Sequence, residues 1–174
     1  MDFPKGSGKA PLTFITHSLG TVIASDFIYD RSKERRLKSL EGFHERFYLE
    51  NIFTIGSPLA LFSLRYNGPE AFQNPIHVES SFGRWLNIYD GDDPVGMPLR
   101  PLNDAYKSAV SRDIKVESGI YGLSHIGYFT KSKTLDIIAK KLALDWMRLN
   151  DKLSEVEAAK LYETYDKNLL GMAE

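Results

Sequence analysis

The sequence contains no cysteine at all, and this absence removes several kinds of chemistry. Disulfide bridges, thiol nucleophiles and zinc sites with cysteine ligands are excluded. A chain that uses no cysteine also fits a reducing compartment, so we expect a cytoplasmic location.

Long apolar runs and an excess of one charge are absent as well. No run approaches the roughly 20 apolar residues that a membrane span needs, and residues 1–5 do not open a signal peptide. The formal net charge is −1, which provides no global field to attract nucleic acid. We therefore expect no transmembrane segment, no nucleic-acid partner and, because no metal-ligand spacing occurs, no metal or cofactor.

What is present is the composition of an ordinary folded domain. The chain has 174 residues, of which 43% are hydrophobic and 26% are charged. Both fractions are close to the average of globular proteins. This length fits one domain, so we expect a single domain over residues 1–174, with a helical extension over residues 150–174.

Segments typical of strands alternate with segments typical of helices. Short apolar or β-prone runs predict strands near 12–17, 51–55, 85–89 and 113–118. Helical spacing of apolar residues predicts helices over about 19–31, 127–149 and 154–168, and the charged stretch 31–50 is expected to be a solvated helix or loop. The apolar positions that define the first two helices are Leu19, Val22, Ile23, Phe27 and Ile28, and then Leu135, Ile138, Leu142 and Trp146. This alternation predicts an α/β fold with about four parallel strands, buried on both faces and flanked by helices.

Ser18 stands where the first predicted strand meets the first predicted helix. Residues 12–16 are apolar or β-prone and lead into it. This is the layout of a nucleophile elbow, a sharp turn that presents a serine hydroxyl above a sheet. Compared with the usual G-x-S-x-G pattern, Thr16 replaces the first glycine. Gly20 keeps the second, where a small residue is expected because the helix passes close to the strand.

A serine nucleophile needs a base to accept its proton, and the base needs an acid to orient it. In elbow hydrolases the chain order is serine, acid, histidine. His44 and His77 precede the acidic cluster at residues 90–93, and His17 is expected to point away from the serine on the strand. His125 is therefore the predicted base, in a loop that leads into a helix.

Three carboxylates compete for the role of the acid, namely Asp90, Asp92 and Asp93. Asp93 precedes Pro94, which holds its backbone extended. We favour Asp93 over Asp90, and Asp90 over Asp92, and the two carboxylates that are not used are expected to cap the turn. Because the carboxyl ends of parallel strands share one edge of the sheet, serine, acid and base are expected to meet there.

Four motifs together resemble the carboxyl-terminal half of an α/β-hydrolase of the lipase/esterase kind. The resemblance spans about residues 10–149 and comprises Thr16-His17-Ser18-Leu19-Gly20, Gly56-Ser57-Pro58, Gly91-Asp92-Asp93-Pro94-Val95 and Ser124-His125. It implies that Ser18 is the nucleophile, Asp93 the acid and His125 the base. It also implies a structural role for the Gly56 segment and an oxyanion hydrogen bond from the backbone N–H of Leu19.

The same resemblance implies a lid or substrate pocket within residues 59–84. The candidate acyl-pocket residues are Leu61, Phe62, Leu64 and Phe72. The expected function is hydrolysis of a carboxylic ester, in a small molecule or a lipid, through an acyl-enzyme on Ser18. Two alternatives stay open: acyl transfer or amide hydrolysis by the same triad, and a weak or inactive fold that acts as a binding or assembly module.

The elbow lies close to residue 1, whereas in the family it follows a central strand that is paired on both sides. The family's second oxyanion donor also comes from a loop after an earlier strand. We expect a fragment with strands encoded upstream, or a second copy or partner that covers the elbow strand, or a minimal variant with its own cover. An open apolar edge is a template for pairing, so self-association through this strand is one expectation.

Overall fold

The structure, a computed structural model, describes residues 8–34, 46–66, 68, 72–119 and 123–171. Its strands are β1 (Ala10–His17), β2 (Phe47–Ile55), β3 (Arg84–Tyr89) and β4 (Arg112–Lys115). Its α-helices are α1 (Leu19–Glu34), α2 (Leu59–Ser63), α3 (Asp104–Ala109), α4 (Ser124–Gly127), α5 (Ser132–Leu149) and α6 (Glu155–Leu170). Turns of 3₁₀ helix occupy Leu64–Tyr66, Arg100–Leu102 and Tyr128–Thr130.

The four strands form one parallel sheet in the order β1-β2-β3-β4, so neighbours in sequence are neighbours in space. The prediction of an α/β fold with about four parallel strands flanked by helices is confirmed. Because every pair is parallel, the carboxyl ends of all four strands lie along one edge. The segments that follow the strands are therefore brought together at that edge.

Apolar side chains that alternate along the strands cover both faces of the sheet. On one face, Phe53 and Ile55 of β2 pack against α5 and α6, where Ile137 lies in the same core. On the other face, Ile52 packs in a second core with Val22 of α1 and with residues of α2 and α3. β2 and β3 are thus buried on both sides, whereas β1 is mostly half-buried and exposes Ile15.

β2 begins earlier than the predicted strand at residues 51–55. Residues 47–50 belong to it, so the expectation of a solvated helix or loop is wrong for this part of the stretch 31–50. Glu50 is buried, and its carboxylate accepts hydrogen bonds from Arg148 on α5, at 2.9 Å, and from Ser80, at 3.2 Å. Residues 35–45 of that stretch lie outside the described residues.

The predicted apolar stripe of α1 does not form a single buried face. Val22 is buried, whereas Leu19 is 53% and Ile23 is 63% exposed. Only the side of α1 that faces the sheet is covered by the described residues. The other side presents apolar residues to solvent next to Ser18.

The buried face of α5 also differs from the predicted stripe. Of that stripe, Ile138 is buried and Leu142 packs against the core, whereas Leu135 and Trp146 are exposed, at 47% and 58%. The helix also buries Lys141 and Asp145. The Lys141 ammonium donates to both oxygens of Asp145, at 2.6 and 2.8 Å, and Asn51 of β2 donates to the same carboxylate at 2.7 Å. The buried face of α5 therefore combines apolar side chains with an ion pair that contacts a polar strand residue.

The long helix predicted over 127–149 is interrupted near its start. Lys131 is extended, with φ of −104° and ψ of 130°, and separates the turn Tyr128–Thr130 from α5. His125 and Tyr128 consequently lie on a short helical segment of their own at the carboxyl edge of the sheet. β4 likewise ends at Lys115 rather than near residue 118. Within the described ranges, no helix has both the length and the apolar character to cross a bilayer.

Candidate active site

The turn after β1 has the strained backbone expected of an elbow. Ser18 has a φ of +54°, a left-handed conformation that costs a residue with a Cβ atom about 1–2 kcal/mol. Its N–H donates to the carbonyl oxygen of Ile55 at 3.0 Å. The hydroxyl of Thr21, in the first turn of α1, donates to the Ser18 carbonyl oxygen at 2.7 Å. Hydrogen bonds on both sides of the turn thus hold Ser18 in place.

The two positions of the elbow pattern that flank the serine behave differently. Thr16 replaces a glycine, and its hydroxyl donates to the carbonyl oxygen of Phe53 at 3.0 Å. A Cβ atom added at Gly20 would meet no described atom within 4 Å. The expectation that Gly20 must be small because the helix approaches the strand is therefore wrong, since α1 leaves room at this position.

Ser18, His125 and Asp93 lie in one chain of hydrogen bonds. Nε2 of His125 is 2.7 Å from Oγ of Ser18, and Nδ1 of His125 is 2.9 Å from Oδ2 of Asp93. An ionised carboxylate only accepts, so Nδ1 carries the proton of the neutral ring and Nε2 accepts from the serine hydroxyl. The His125 side chain is 23% exposed and that of Asp93 is fully buried. Solvent can therefore reach the serine end of this series of hydrogen bonds, whereas the acid end is shielded from solvent.

The surroundings of Asp93 keep its carboxyl ionised. Burial by itself raises the pKa of this carboxyl, but hydrogen bonds from His125, from the N–H of Val95 and from Tyr128 outweigh burial and hold the pKa below its usual range. The Val95 N–H donates to Oδ1 at 2.9 Å, and the Tyr128 hydroxyl donates to Oδ2 at 2.8 Å. A negative charge therefore faces the imidazole at neutral pH.

The two other candidate acids have different surroundings. Asp90 accepts from the N–H of Asp92 at 2.9 Å and from both the N–H and the hydroxyl of Ser118. Burial raises the pKa of Asp90, and these hydrogen bonds lower it below the usual range. Asp92 itself is exposed. Of the three carboxylates, Asp93 is the one that lies against His125.

The Asp93 carboxylate lies in space that is available because residues 56 and 96 are glycines without a Cβ atom. Gly56 has a φ of +54°, and a Cβ atom there would lie 2.7 Å from the Tyr128 ring and 3.1 Å from Oδ2 of Asp93. A Cβ atom at Gly96 would lie 2.5 Å from the same oxygen and 2.7 Å from the Tyr128 hydroxyl. Larger residues at either position would push the carboxylate away from the histidine.

His17 contacts the predicted base, His125. Its Nε2 donates to the backbone carbonyl oxygen of His125 at 2.7 Å, and the two ring centroids are 4.9 Å apart. The alternation of side chains along a strand gives the side of β1 on which His17 lies, but not which distant segment packs against it. The contact arises because the segment that carries His125 returns to the same edge from a distant part of the chain.

The start of α1 supplies a donor next to the nucleophile. α1 begins at Leu19, and the first four N–H groups of an α-helix have no acceptor within the helix. The positive end of the helix dipole lies at the same place. The Leu19 N–H is therefore suited to stabilise a negative charge that develops beside Ser18.

The four candidate acyl-pocket residues fall into two groups. Leu61 and Leu64 are exposed. Phe62 and Phe72 pack against the core on the α1 side of the sheet, and the Phe72 ring stacks on Tyr106 with centroids 5.2 Å apart. Phe72 thus has a packing role, and substrate binding by these four residues stays a prediction.

Sequence reasoning missed two residues that hold the site together. Thr21 lies three residues after Ser18, where a hydroxyl in the first helical turn can reach back to the turn. Tyr128 lies three residues after His125, which places both on the same side of a helical segment. These two spacings are the features of the sequence that could have indicated both residues. In the described part of the chain, no three His, Asp or Glu side chains come together as ligands of a metal ion would.

Comparisons with protein-family models, with curated proteins and with solved structures found no match. The resemblance to α/β-hydrolases therefore stays a prediction that rests on the motifs. What the fold and the geometry define is an α/β protein with a Ser-His-Asp chain of hydrogen bonds at the carboxyl edge of a parallel sheet.

Proposed function

We propose that the protein is a serine hydrolase that cleaves carboxylic esters. The chain of hydrogen bonds from Ser18 through His125 to Asp93 carries this proposal. The strained backbone of Ser18 and the full burial of the Asp93 side chain support it. Strain and buried charge both cost stability, and both are common where they serve chemistry.

In the first step, Oγ of Ser18 attacks the ester carbonyl carbon while Nε2 of His125 takes the hydroxyl proton. Asp93 holds the Nδ1–H and stabilises the imidazolium. The Leu19 N–H donates to the oxyanion of the tetrahedral intermediate. The bond to the alcohol then breaks as the imidazolium protonates the leaving oxygen. Water, with His125 as base, attacks the acyl carbon and releases the acid and the free serine.

Exposed apolar side chains next to these residues favour an apolar ester or lipid as substrate. Leu19 follows the nucleophile, and Leu123 and Ile126 flank the base, at exposures of 53%, 61% and 69%. Burial of apolar surface contributes about 25 cal/mol per Å², so a longer hydrocarbon chain gains binding energy against them. The proposed reaction needs no cofactor. The lack of cysteine fits a cytoplasmic location, which is part of the proposal.

Covalent labelling with a fluorophosphonate probe tests the function. We expect the wild-type protein to be labelled, Ser18→Ala to lose labelling, and Ser81→Ala, at an exposed serine before β3, to keep it. A panel of p-nitrophenyl esters and anilides of increasing chain length then separates ester from amide hydrolysis. Labelling that survives Ser18→Ala, or its absence from the wild type, would contradict the proposal.

A binding or assembly module is the second candidate, and the outer edge of β1 favours it. Among the described strands, β1 pairs with β2 alone. Ile15 on β1 and Ile23 on α1 are both exposed. The variant His125→Ala separates the candidates, because loss of labelling with the fold retained supports the hydrolase, whereas a change in self-association alone supports the module.

A further inference from the structure

Tyr128 lies between the acid and the sheet. Its side chain is fully buried, and its hydroxyl contacts the backbone N–H of Asp90 at 2.9 Å and Oδ2 of Asp93 at 2.8 Å. The same Oδ2 atom accepts from Nδ1 of His125 at 2.9 Å. One carboxylate oxygen thus receives hydrogen bonds from both the base and the tyrosine.

The direction of each of these hydrogen bonds follows from the chemistry of the partners. A backbone N–H only donates, so the Tyr128 oxygen accepts from Asp90. An ionised carboxylate only accepts, so the single hydroxyl proton points at Asp93. Burial, together with the Asp93 carboxylate, raises the pKa of Tyr128 above its usual range, so the hydroxyl keeps this proton throughout the neutral range.

The local fold places the tyrosine where it can act on the acid. His125 lies in α4 and Tyr128 opens the following 3₁₀ turn, so the two side chains leave adjacent turns on the same side. Asp90 directly follows β3, which makes its N–H part of the rigid sheet edge. Gly56 and Gly96 leave the space that the hydroxyl and the carboxylate share.

We propose, on the basis of the hydrolase function above, that Tyr128 is a positioning residue for the acid. Its hydroxyl ties Oδ2 of Asp93 to the backbone at the end of β3 and keeps that oxygen against Nδ1 of His125. Tyr128 acts on the reaction through Asp93. Without the hydroxyl, Oδ2 loses one of its two donors, and the Val95 N–H and His125 are left to hold the carboxylate against the imidazole.

The variant Tyr128→Phe tests this role because it keeps the ring and removes only the hydroxyl. Tyr165→Phe is the matched control, since that hydroxyl is also buried but donates to the carbonyl oxygen of Ile137, at 3.0 Å, within the helical layer. We expect Tyr128→Phe to lower kcat for a p-nitrophenyl ester about tenfold with KM unchanged, the size expected for a hydrogen bond to a charged group. Tyr165→Phe is expected to keep the wild-type kcat.

A second measurement reports on the hydrogen bond itself and does not need turnover. The proton NMR resonance of the His125 Nδ1–H is expected to move in Tyr128→Phe and to keep its wild-type position in Tyr165→Phe. Should Tyr128→Phe not fold, the hydroxyl proton of Tyr128 in the wild type provides the measurement. We expect its NMR resonance to be protected from exchange with solvent and shifted downfield by the hydrogen bond to Asp93, and a rapidly exchanging hydroxyl proton would overturn the proposal.

A resonance and a kcat that Tyr128→Phe shares with Tyr165→Phe would overturn the proposal. Failure of the hydrolase function gives a different result, namely a wild-type protein that fluorophosphonate does not label. In that case the resonance still decides whether Tyr128 holds Asp93 against His125.

Discussion

Ser18 occupies a backbone conformation that glycine adopts more easily. At a φ of +54°, a Cβ atom costs about 1–2 kcal/mol. We predict that Ser18→Gly is more stable than Ser18→Ala by about 1 kcal/mol, because both variants lack the hydroxyl and only alanine retains the Cβ atom. The free energies of unfolding in urea measure this difference. Equal stability of the two variants would mean that the elbow stores no strain.

Asp93 provides a test of how its buried charge depends on pH. Burial raises the pKa of its carboxyl, but hydrogen bonds, with that to His125 foremost, hold the pKa below the unfolded value of about 4. A depressed pKa stabilises the folded state above about pH 4, and this stabilisation is lost as the pH falls through the folded-state pKa. We therefore predict that the stability difference between wild type and Asp93→Asn shrinks below about pH 4.

Urea unfolding between pH 3 and pH 7 checks this prediction, and a difference that does not vary with pH would contradict it. The same variant also tests the chemistry. Asparagine cannot stabilise the imidazolium, so we expect the rate of labelling at pH 7 to fall by roughly 10³–10⁴.

At the scale of the secondary-structure elements, the turn after β2 requires a glycine at position 56, whereas the start of α1 has room for a side chain at position 20. Gly56→Ala introduces a Cβ atom at a φ of +54° and against Tyr128, and we predict a loss of about 2–4 kcal/mol together with weaker labelling. Gly20→Ala lies at the start of α1 in open space, and we predict a gain of about 0.5–1 kcal/mol with labelling retained. Thermal unfolding and probe labelling of the pair measure both effects. Loss of labelling in Gly20→Ala would show that the second glycine of the motif is required.

Strands that consist of an apolar run followed by a turn could be predicted from the sequence. β1 and β3 are apolar runs that end in chemically distinctive turns, and their predicted positions agree with the structure within a few residues. The parallel order follows because helices lie between the strands. Local pattern and global fold agree in these segments, so each could be assigned without knowledge of its partners.

Charged residues that the fold buries could not be predicted in the same way. Glu50 marked its segment as solvated, yet Arg148, far away in the sequence, pairs with it. Lys141 and Asp145 stand one helical turn apart, the spacing of a solvent-exposed ion pair, yet Asn51 of β2 and Tyr162 of α6 both donate to the Asp145 carboxylate in the interior. Contacts between distant segments decide the burial of such residues.

In the candidate site, too, some features could be predicted from the sequence, whereas others depend on contacts between distant segments. The order of Ser18, Asp93 and His125 along the chain predicts that these three residues form the site, because parallel strands bring their carboxyl ends together. The contacts of His17 and Tyr128 with the base and the acid depend on how the segment after β4 folds back. In the sequence, the spacing of three residues from His125 to Tyr128 is the one indication of these contacts.

At the scale of the whole molecule, the site is held by hydrogen bonds between the segments that follow different strands. The turn after β1 is tied to β2 through the Ser18 N–H and to the segment after β2 through Thr21 and Ser57. Tyr128 ties the segment after β4 to the end of β3. The sheet thereby acts as a rigid frame, and the spacing of the three residues depends on all four strands.

β1 has a neighbour on one side only among the described strands, and this outer edge leads to a prediction for the whole molecule. Ile15 is 46% exposed on this strand, and an apolar edge strand is a template for pairing with another chain. We predict that the average mass, measured by light scattering after size exclusion, rises with protein concentration. Ile15→Lys is expected to abolish this rise, because a charge on an edge strand opposes pairing. Leu64→Lys, at an exposed leucine after α2, is the control and should keep it. A mass that stays constant in the wild type, or that both variants reduce equally, would exclude β1 as the contact.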